Sequence, residues 1–243
     1  MNEDILIRPA VEGAEGDGAV VKRLMPLRGF MNYDPFVLFD HFILEGGGGF
    51  PEHPHRGFEA ITYLFEGSIA HADNLGNDSR VGVGGAQRFT AGRGIVHSEM
   101  PATDGPTSGI QLWINLPLRL KGIDPAYQGL DAADLPERPI EGGRERIIVG
   151  PGSPLALHTP VDYRDVHLDA GAAYAFAPAS GRRGLVYVVD GAMNVNGRAL
   201  RAGEAAFCDD VALAIEATQA SRFMLAFGAP HGEPIRQYGP YVD

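Results

Sequence analysis

At 243 residues and a formal charge of −11, the chain lacks the basic face needed to track a phosphate backbone, which argues against direct nucleic-acid binding. Hydrophobic residues at 44% and charged residues at 21% describe a globular chain with room for one large β domain or two of about 120 residues each. Cys208 is the lone cysteine, which excludes an intramolecular disulfide.

The start, Met1–Asp4, is acidic and carries no apolar leader, and no uninterrupted apolar stretch reaches the ~20 residues of a membrane span. A cytoplasmic protein with no membrane partner is expected. The 33 glycines and 18 prolines are scattered between apolar runs, the turn pattern of an all-β chain. Ile5–Ile7 and Ala19–Leu24 read as short strands joined by Gly/Glu-rich turn material. Phe36–Leu44 is almost continuously apolar, as in a strand buried on both faces, and Gly46–Gly49 reads as a flexible loop. Glu59–Phe65, Ile69–Ala72, Val81–Val83, Ala86–Thr90, Ile95–Met100 and Gly109–Leu116 follow as short strands. Turn clusters at Asp73–Asn77 and Ala91–Gly94 punctuate them. Strands this short point to a sandwich or small barrel.

Residues 117–143 change character, with prolines, charges and one helical turn near Asp131–Leu135. β signals then resume at Ile147–Val149, Ala173–Phe176 and Gly184–Val189, with hairpin turns at Asp190-Gly191 and Asn196-Gly197. Strands at Ala205–Cys208, Val211–Ile215 and Arg222–Phe227 complete the half. Val186–Gly191 (VYVVDG) echoes Ile61–Gly67 (ITYLFEG), so the chain divides into a domain of residues 1–125, a linker of 126–143 and a similar domain of 144–243.

The chemistry concentrates between Phe50 and Pro101. His53 with His55, and His97 with Glu99, are two pairs of metal-capable side chains at spacing i, i+2. Alternate residues of a strand face the same way, so each pair can converge on one point. Three imidazoles and one carboxylate suit Fe, Mn, Ni, Cu or Zn, and leave positions open on a six-coordinate ion for substrate or O₂. The second half has no such pair, so any metal belongs to the first.

Other candidates have plainer readings. Glu52 and Glu59 flank the histidines but alternate away from them, and Arg56 and Arg93 read as salt-bridge partners of Glu52, Glu59 or Glu99. His41 lies in an apolar run as a core histidine, and His71 reads as an edge-strand residue at the rim of the site. His158, His167 and His231 lack metal-capable neighbours at useful spacing. Cys208 has no adjacent base, Ser98 lacks a nucleophile elbow, and no phosphate-binding loop is present.

Three motifs in order, FPEHPHRGFEAITYLFEG from Phe50, HADNLGN from His71 and TAGRGIVHSEMP from Thr90, resemble the pirin family of the cupin superfamily. MNYDPFVLFDHF upstream and GEPIRQYGPYV downstream extend the resemblance over almost the whole chain. It implies two tandem cupin (jelly-roll) barrels, with Fe²⁺ or Fe³⁺ in the N-terminal one held by His53, His55, His97 and Glu99. It further implies quercetin 2,3-dioxygenase activity, the O₂-dependent opening of a flavonol ring with loss of carbon monoxide. Glu99 would then also act as the base for the flavonol 3-hydroxyl, and Phe50, Phe58, Leu64 and Trp113 would line the pocket. The alternative it carries is a non-catalytic, redox-responsive iron protein that regulates a protein partner. Seven residues separate Glu59 from Gly67 where cupins usually have six, and Gly92 and Pro101 replace the usual Pro and Asn; these departures are pirin-like. Longer pirins continue past the Gly-Pro-Tyr segment, so a segment covering the second barrel is expected to be missing.

Overall fold

A computed structural model describes residues 5–45 and 48–243, so the acidic start Met1–Asp4 and the first half of the tetraglycine lie outside the described residues. Almost all regular structure is β, as expected, with short 3₁₀ turns at Leu118–Leu120 and Ala132–Asp134. No helix among the described residues is long and apolar enough to cross a membrane.

The chain gathers into two compact units, one of residues 11–134 and 231–243, the other of residues 5–10 and 135–230. This corrects the linear division in three places. Strand β1 (Ile5–Pro9) pairs with Glu204–Asp209, and its Ile5 is buried in the core of the second unit. Residues 231–243 return to the first unit, where Val242 joins an apolar cluster with Phe58 and Trp113. The supposed linker is mostly strand: Ala126–Leu130 pairs with Ala86–Thr90, and Glu137–Ile140 pairs with Gly143–Arg146.

In the first unit β2 (Val11–Glu15) and β3 (Asp17–Met25) form a hairpin beside β4 (Phe36–His55). β5 (Phe58–Glu66), β6 (Ser68–Asp73), β7 (Asp78–Gly82) and β8 (Ala86–Thr90) follow, then β9 (Ile95–Pro101), β10 (Thr107–Asn115) and β11 (Ala126–Leu130). Their order in space is β11-β8-β5-β10-β4-β9-β6-β7. β4 is the pivot. Its apolar first half lies between β3 and β10, while its second half pairs with β9 instead. The switch falls at Gly48 and Gly49, which are closely packed in the strand where a loose loop is expected. A Cβ on Gly48 would stand 2.2 Å from the Asp17 carbonyl oxygen, and one on Gly49 would meet Met100 Sδ at 2.9 Å. β2 reads poorly from sequence because all five of its residues are exposed.

The second unit contains β12 (Glu137–Ile140), β13 (Gly143–Val149), β14 (Val161–Leu168), β15 (Ala173–Phe176) and β16 (Arg183–Asp190). β17 (Ala192–Val195), β18 (Arg198–Arg201), β19 (Glu204–Asp209), β20 (Leu213–Ala217) and β21 (Ser221–Gly228) complete it. A seven-stranded sheet, β1-β19-β16-β21-β14-β13-β12, accompanies a four-stranded one, β15-β20-β17-β18. Inward residues of both sheets, among them Val186, Met193, Ile215 and Phe223, form one apolar core. Side chains fill this barrel where the first unit keeps histidines. The last hairpin, β22 (Gln237–Tyr238) and β23 (Tyr241–Val242), belongs to the first unit.

Candidate metal centre

β4 and β9 run antiparallel with His53 opposite His97 and His55 opposite Ile95. Alternation therefore turns His53, His55 and His97 toward one point, as the i, i+2 spacing predicts. Their ring centroids lie 4.5 Å (His53–His55), 4.6 Å (His53–His97) and 5.0 Å (His55–His97) apart. One nitrogen from each ring lies within 4.8 Å of the others. Glu99 does not join this trio on the same criterion. A bulge between Phe50 and His53 places Glu99 opposite Phe50, and its carboxylate groups with His71 and His97 instead.

The rings are fixed from behind. Phe89 stacks on His55 at 5.4 Å and meets the edge of His97 at 4.6 Å. Trp113 meets His55 at 4.9 Å and itself stacks on Phe58 at 4.0 Å. The Nδ1 atoms have partners: His53 Nδ1 lies 2.7 Å from the Pro51 carbonyl oxygen and His55 Nδ1 lies 3.3 Å from that of Pro240. His97 Nδ1 stands 3.5 Å from His71 Nδ1, and His97 Nε2 is buried with no hydrogen-bond partner among the described residues. A hydrogen on each Nδ1 leaves Nε2 as the lone pair of each ring, the state a metal requires. Burial, reinforced by the neighbouring imidazoles, pushes His55 and His97 down to about 3, so both are neutral near pH 7. This donor set fits a first-row transition metal.

Glu99 is held by neutral donors. The Thr62 hydroxyl donates to Oε1 at 2.7 Å, the Gln87 amide donates to the same oxygen, and the Gln111 amide donates to Oε2 at 3.3 Å. His53, His55 and Glu99 face a cavity of about 640 Å³. Val21, Leu38, Phe42, Phe50 and Trp113 supply its apolar wall, and Glu15, Asp17 and Glu52 its acidic mouth. Gln237, Gly239 and Pro240 close one side. Phe58 and Leu64, expected on this wall, sit in apolar clusters of the core instead.

Arg56 pairs with Asp243 and Arg93 with Asp124, not with the glutamates beside the histidines. Glu59 is fully buried and accepts a hydrogen bond from Thr90, while Glu52 is exposed. His41 is a buried core residue against Phe65. Burial pushes the Cys208 thiol up to about 12, which removes it as a nucleophile. His71 corrects its reading as an edge residue. It is buried against His97 and stacks on Tyr127 at 4.0 Å. The signal was present: His71-x-Asp73 repeats the i, i+2 spacing of the other two pairs.

Comparison with known proteins gives matches over both units. The Pirin family model matches residues 19–114, and the Pirin C-terminal cupin domain model matches residues 163–243. A pirin-like protein of Solanum lycopersicum is 37% identical over 238 residues, covering 94% of this chain and 82% of its own. Human pirin is 37% identical over 248 residues, covering 95% and 84%. Among solved structures, a quercetin 2,3-dioxygenase from Acinetobacter baumannii superposes with a TM-score of 0.90 at 28% identity, over 98% of this chain and 91% of that one. The bacterial pirin YhhW from Escherichia coli, in complex with nickel(II), superposes with a TM-score of 0.78 at 26% identity, over 93% and 99%.

Proposed function

The chain belongs to the pirin family, and from that premise we propose that it is a metal-dependent dioxygenase acting on a flavonol-like substrate and O₂. The observation that carries the reading is the trio His53, His55 and His97, each with its Nδ1 engaged, beside an apolar cavity of about 640 Å³. Iron is the metal we assign; Mn, Ni, Cu and Zn suit the same donors, and nickel occupies the E. coli pirin complex. His53, His55 and His97 would hold the ion, and Glu99 would add a donor oxygen only on turning from its place beside His71 and His97. The bound ion supplies Lewis acidity toward a substrate hydroxyl and electron exchange with O₂.

The chain's own groups do the rest. Leu38, Phe42, Phe50 and Trp113 present an apolar wall that excludes water and orients an aromatic ring system. Glu99, on the cavity wall, takes up the proton of the substrate hydroxyl. Thr62, Gln87 and Gln111 aim its carboxylate while it does so. The acidic mouth disfavours anions, which fits a neutral phenol. The lone, buried Cys208 fits a reducing compartment, and we place the protein in the cytoplasm.

Metal content of the wild type and of His97→Ala, followed by quercetin turnover under air with Fe²⁺-loaded protein, tests the reading. Near-stoichiometric metal lost in the variant, with bleaching of the flavonol absorbance by the wild type, is expected. A wild type that binds no metal overturns the site, and a loaded wild type without turnover overturns the dioxygenase.

A further inference from the structure

Behind His97 stands a second histidine that the site as described does not use. β6 lies antiparallel to β9, with His71 opposite Glu99 and Asp73 opposite His97. The side chains of His71 and Asp73 are both 0% exposed, and His71 Nε2 lies 3.0 Å from Asp73 Oδ2. On the other side His71 Nδ1 faces His97 Nδ1 at 3.5 Å. The row therefore reads carboxylate, imidazole, imidazole, and it ends on the buried Nε2 of His97, which has no partner among the described residues.

One arrangement of hydrogens satisfies the whole row. Asp73 already accepts hydrogen bonds from the Leu75 and Asn77 backbone N–H groups, at 2.9 and 3.1 Å, and from the Asn77 amide. An ionised carboxylate only accepts, so His71 Nε2 carries the hydrogen and donates it. His71 Nδ1 is then a lone pair and accepts from Nδ1–H of His97. A hydrogen on His71 Nδ1 would instead force that of His97 onto Nε2, where no acceptor stands among the described residues. The turn that carries Asp73 is pinned to β9 beside His97. Asn74 donates its N–H to the Val96 carbonyl at 3.0 Å, and its side-chain oxygen accepts from Val96 N–H at 3.0 Å. Tyr127, stacked on His71 with 17° between the rings, fixes the plane of the middle imidazole.

We propose that His71 and Asp73 are positioning residues for the metal: they hold His97 in its Nδ1–H form with Nε2 aimed at the ion, and pass negative charge through two imidazoles to it. A carboxylate behind a ligating histidine ordinarily touches that ring directly; here one imidazole is interposed. Both effects tighten metal binding, and the charge stabilises Fe³⁺ more than Fe²⁺. The inference rests on the reading that His53, His55 and His97 bind the metal.

The test uses the full chain and Co²⁺, Zn²⁺ and iron as probes. Chelator competition should show Co²⁺ and Fe²⁺ binding about 10–100-fold weaker in Asp73→Asn and His71→Phe. His71→Gln, which keeps a donor and an acceptor, should recover part of the loss. The Co²⁺ absorption bands should shift in the same order, and the iron potential should rise. Nitrogen-15 spectra of Zn²⁺-loaded wild type should show hydrogen on His97 Nδ1 and His71 Nε2; hydrogen on His71 Nδ1 overturns the proposal without any variant. Folded variants that keep affinity, spectrum and potential within twofold of wild type overturn it as well. A wild type with no affinity for any probe instead removes the metal site on which the inference rests.

Discussion

His53 and His97 stand directly opposite each other across the β4–β9 pair, with ring centroids 4.6 Å apart. They contribute equally to the trio but differ in burial: His97 is 1% exposed and His53 is half-buried. Alanine at either position should abolish stoichiometric metal binding. Stability of the metal-free protein should separate them, with a cost of about 1–3 kcal/mol at His97, where a cavity opens, and within about 0.5 kcal/mol at His53. Metal analysis and urea denaturation of the two apo variants check this; equal stability losses would contradict it.

A pH dependence follows from the buried imidazoles. His55 and His97 sit at about 3 in the fold against an ordinary value of 6.5. Between those values the unfolded chain binds the protons that the fold refuses, so stability is complete above pH 6.5 and falls as pH drops toward 3. Each of the two residues contributes a slope of up to about 1.4 kcal/mol per pH unit within that window. Denaturation midpoints of the apo protein across pH 4–7 should show the fall, and His97→Ala should flatten it. An unchanged slope in that variant would refute the assignment.

Gly57 packs against residues 231–243, next to Arg56, whose carbonyl oxygen accepts from Val242 N–H at 3.0 Å. Its φ is +86°, and a Cβ there would lie 1.8 Å from the Val242 carbonyl oxygen. Gly57→Ala should destabilise the first unit by at least about 2 kcal/mol and expose residues 231–243 to protease. Gly29 has a similar φ of +83° but open space around it, so Gly29→Ala should cost only about 1 kcal/mol of backbone strain. Denaturation curves and limited proteolysis of the pair test the contact itself.

Glu99→Gln keeps the shape of the side chain but cannot take a proton, and it turns an amide toward the donors Thr62 and Gln87. The three imidazoles remain, so metal content should stay near that of the wild type. Quercetin turnover should fall about 10²–10⁴-fold. Turnover at the wild-type rate would remove Glu99 from the chemistry.

Much of the site was legible because strands have a short period. His53-x-His55 and His97-x-Glu99 announce a common face, and the register of β4 against β9 brings the imidazoles together. What the spacing cannot carry is strand pairing and irregularity. The bulge after Phe50 moves Glu99 along the ladder, toward His71 and away from the trio. His71-x-Asp73 has the same spacing as the other pairs, but its meaning depends on β6 lying beside β9. The exchange of β1 and of residues 231–243 between units is invisible locally, since an apolar run such as Ile5–Ile7 does not encode which sheet edge it completes. β14 shows why period alone falls short: Val161 and Tyr163 are buried on one phase and Val166 and Leu168 on the other, with Asp165 buried between them, so the alternation breaks mid-strand.

The return of residues 231–243 sets an order of events on the ribosome. The first unit consists mostly of the residues made first, yet the Pro240 carbonyl that meets His55 Nδ1 is made only after residues 135–230. Lys121, which donates to the Gly57 carbonyl at 3.0 Å, to Asn115 Oδ1 at 2.8 Å and to the Val242 carbonyl at 2.9 Å, likewise waits for its third acceptor. At about 5–20 residues per second, the nascent first unit stands for several seconds with His55 untethered and one wall of its cavity open. The two units therefore cannot mature strictly one after the other. On the proposed reading, the surroundings of the histidine trio are complete only once residues 231–243 have been made, and an ion arriving earlier would meet a half-built socket.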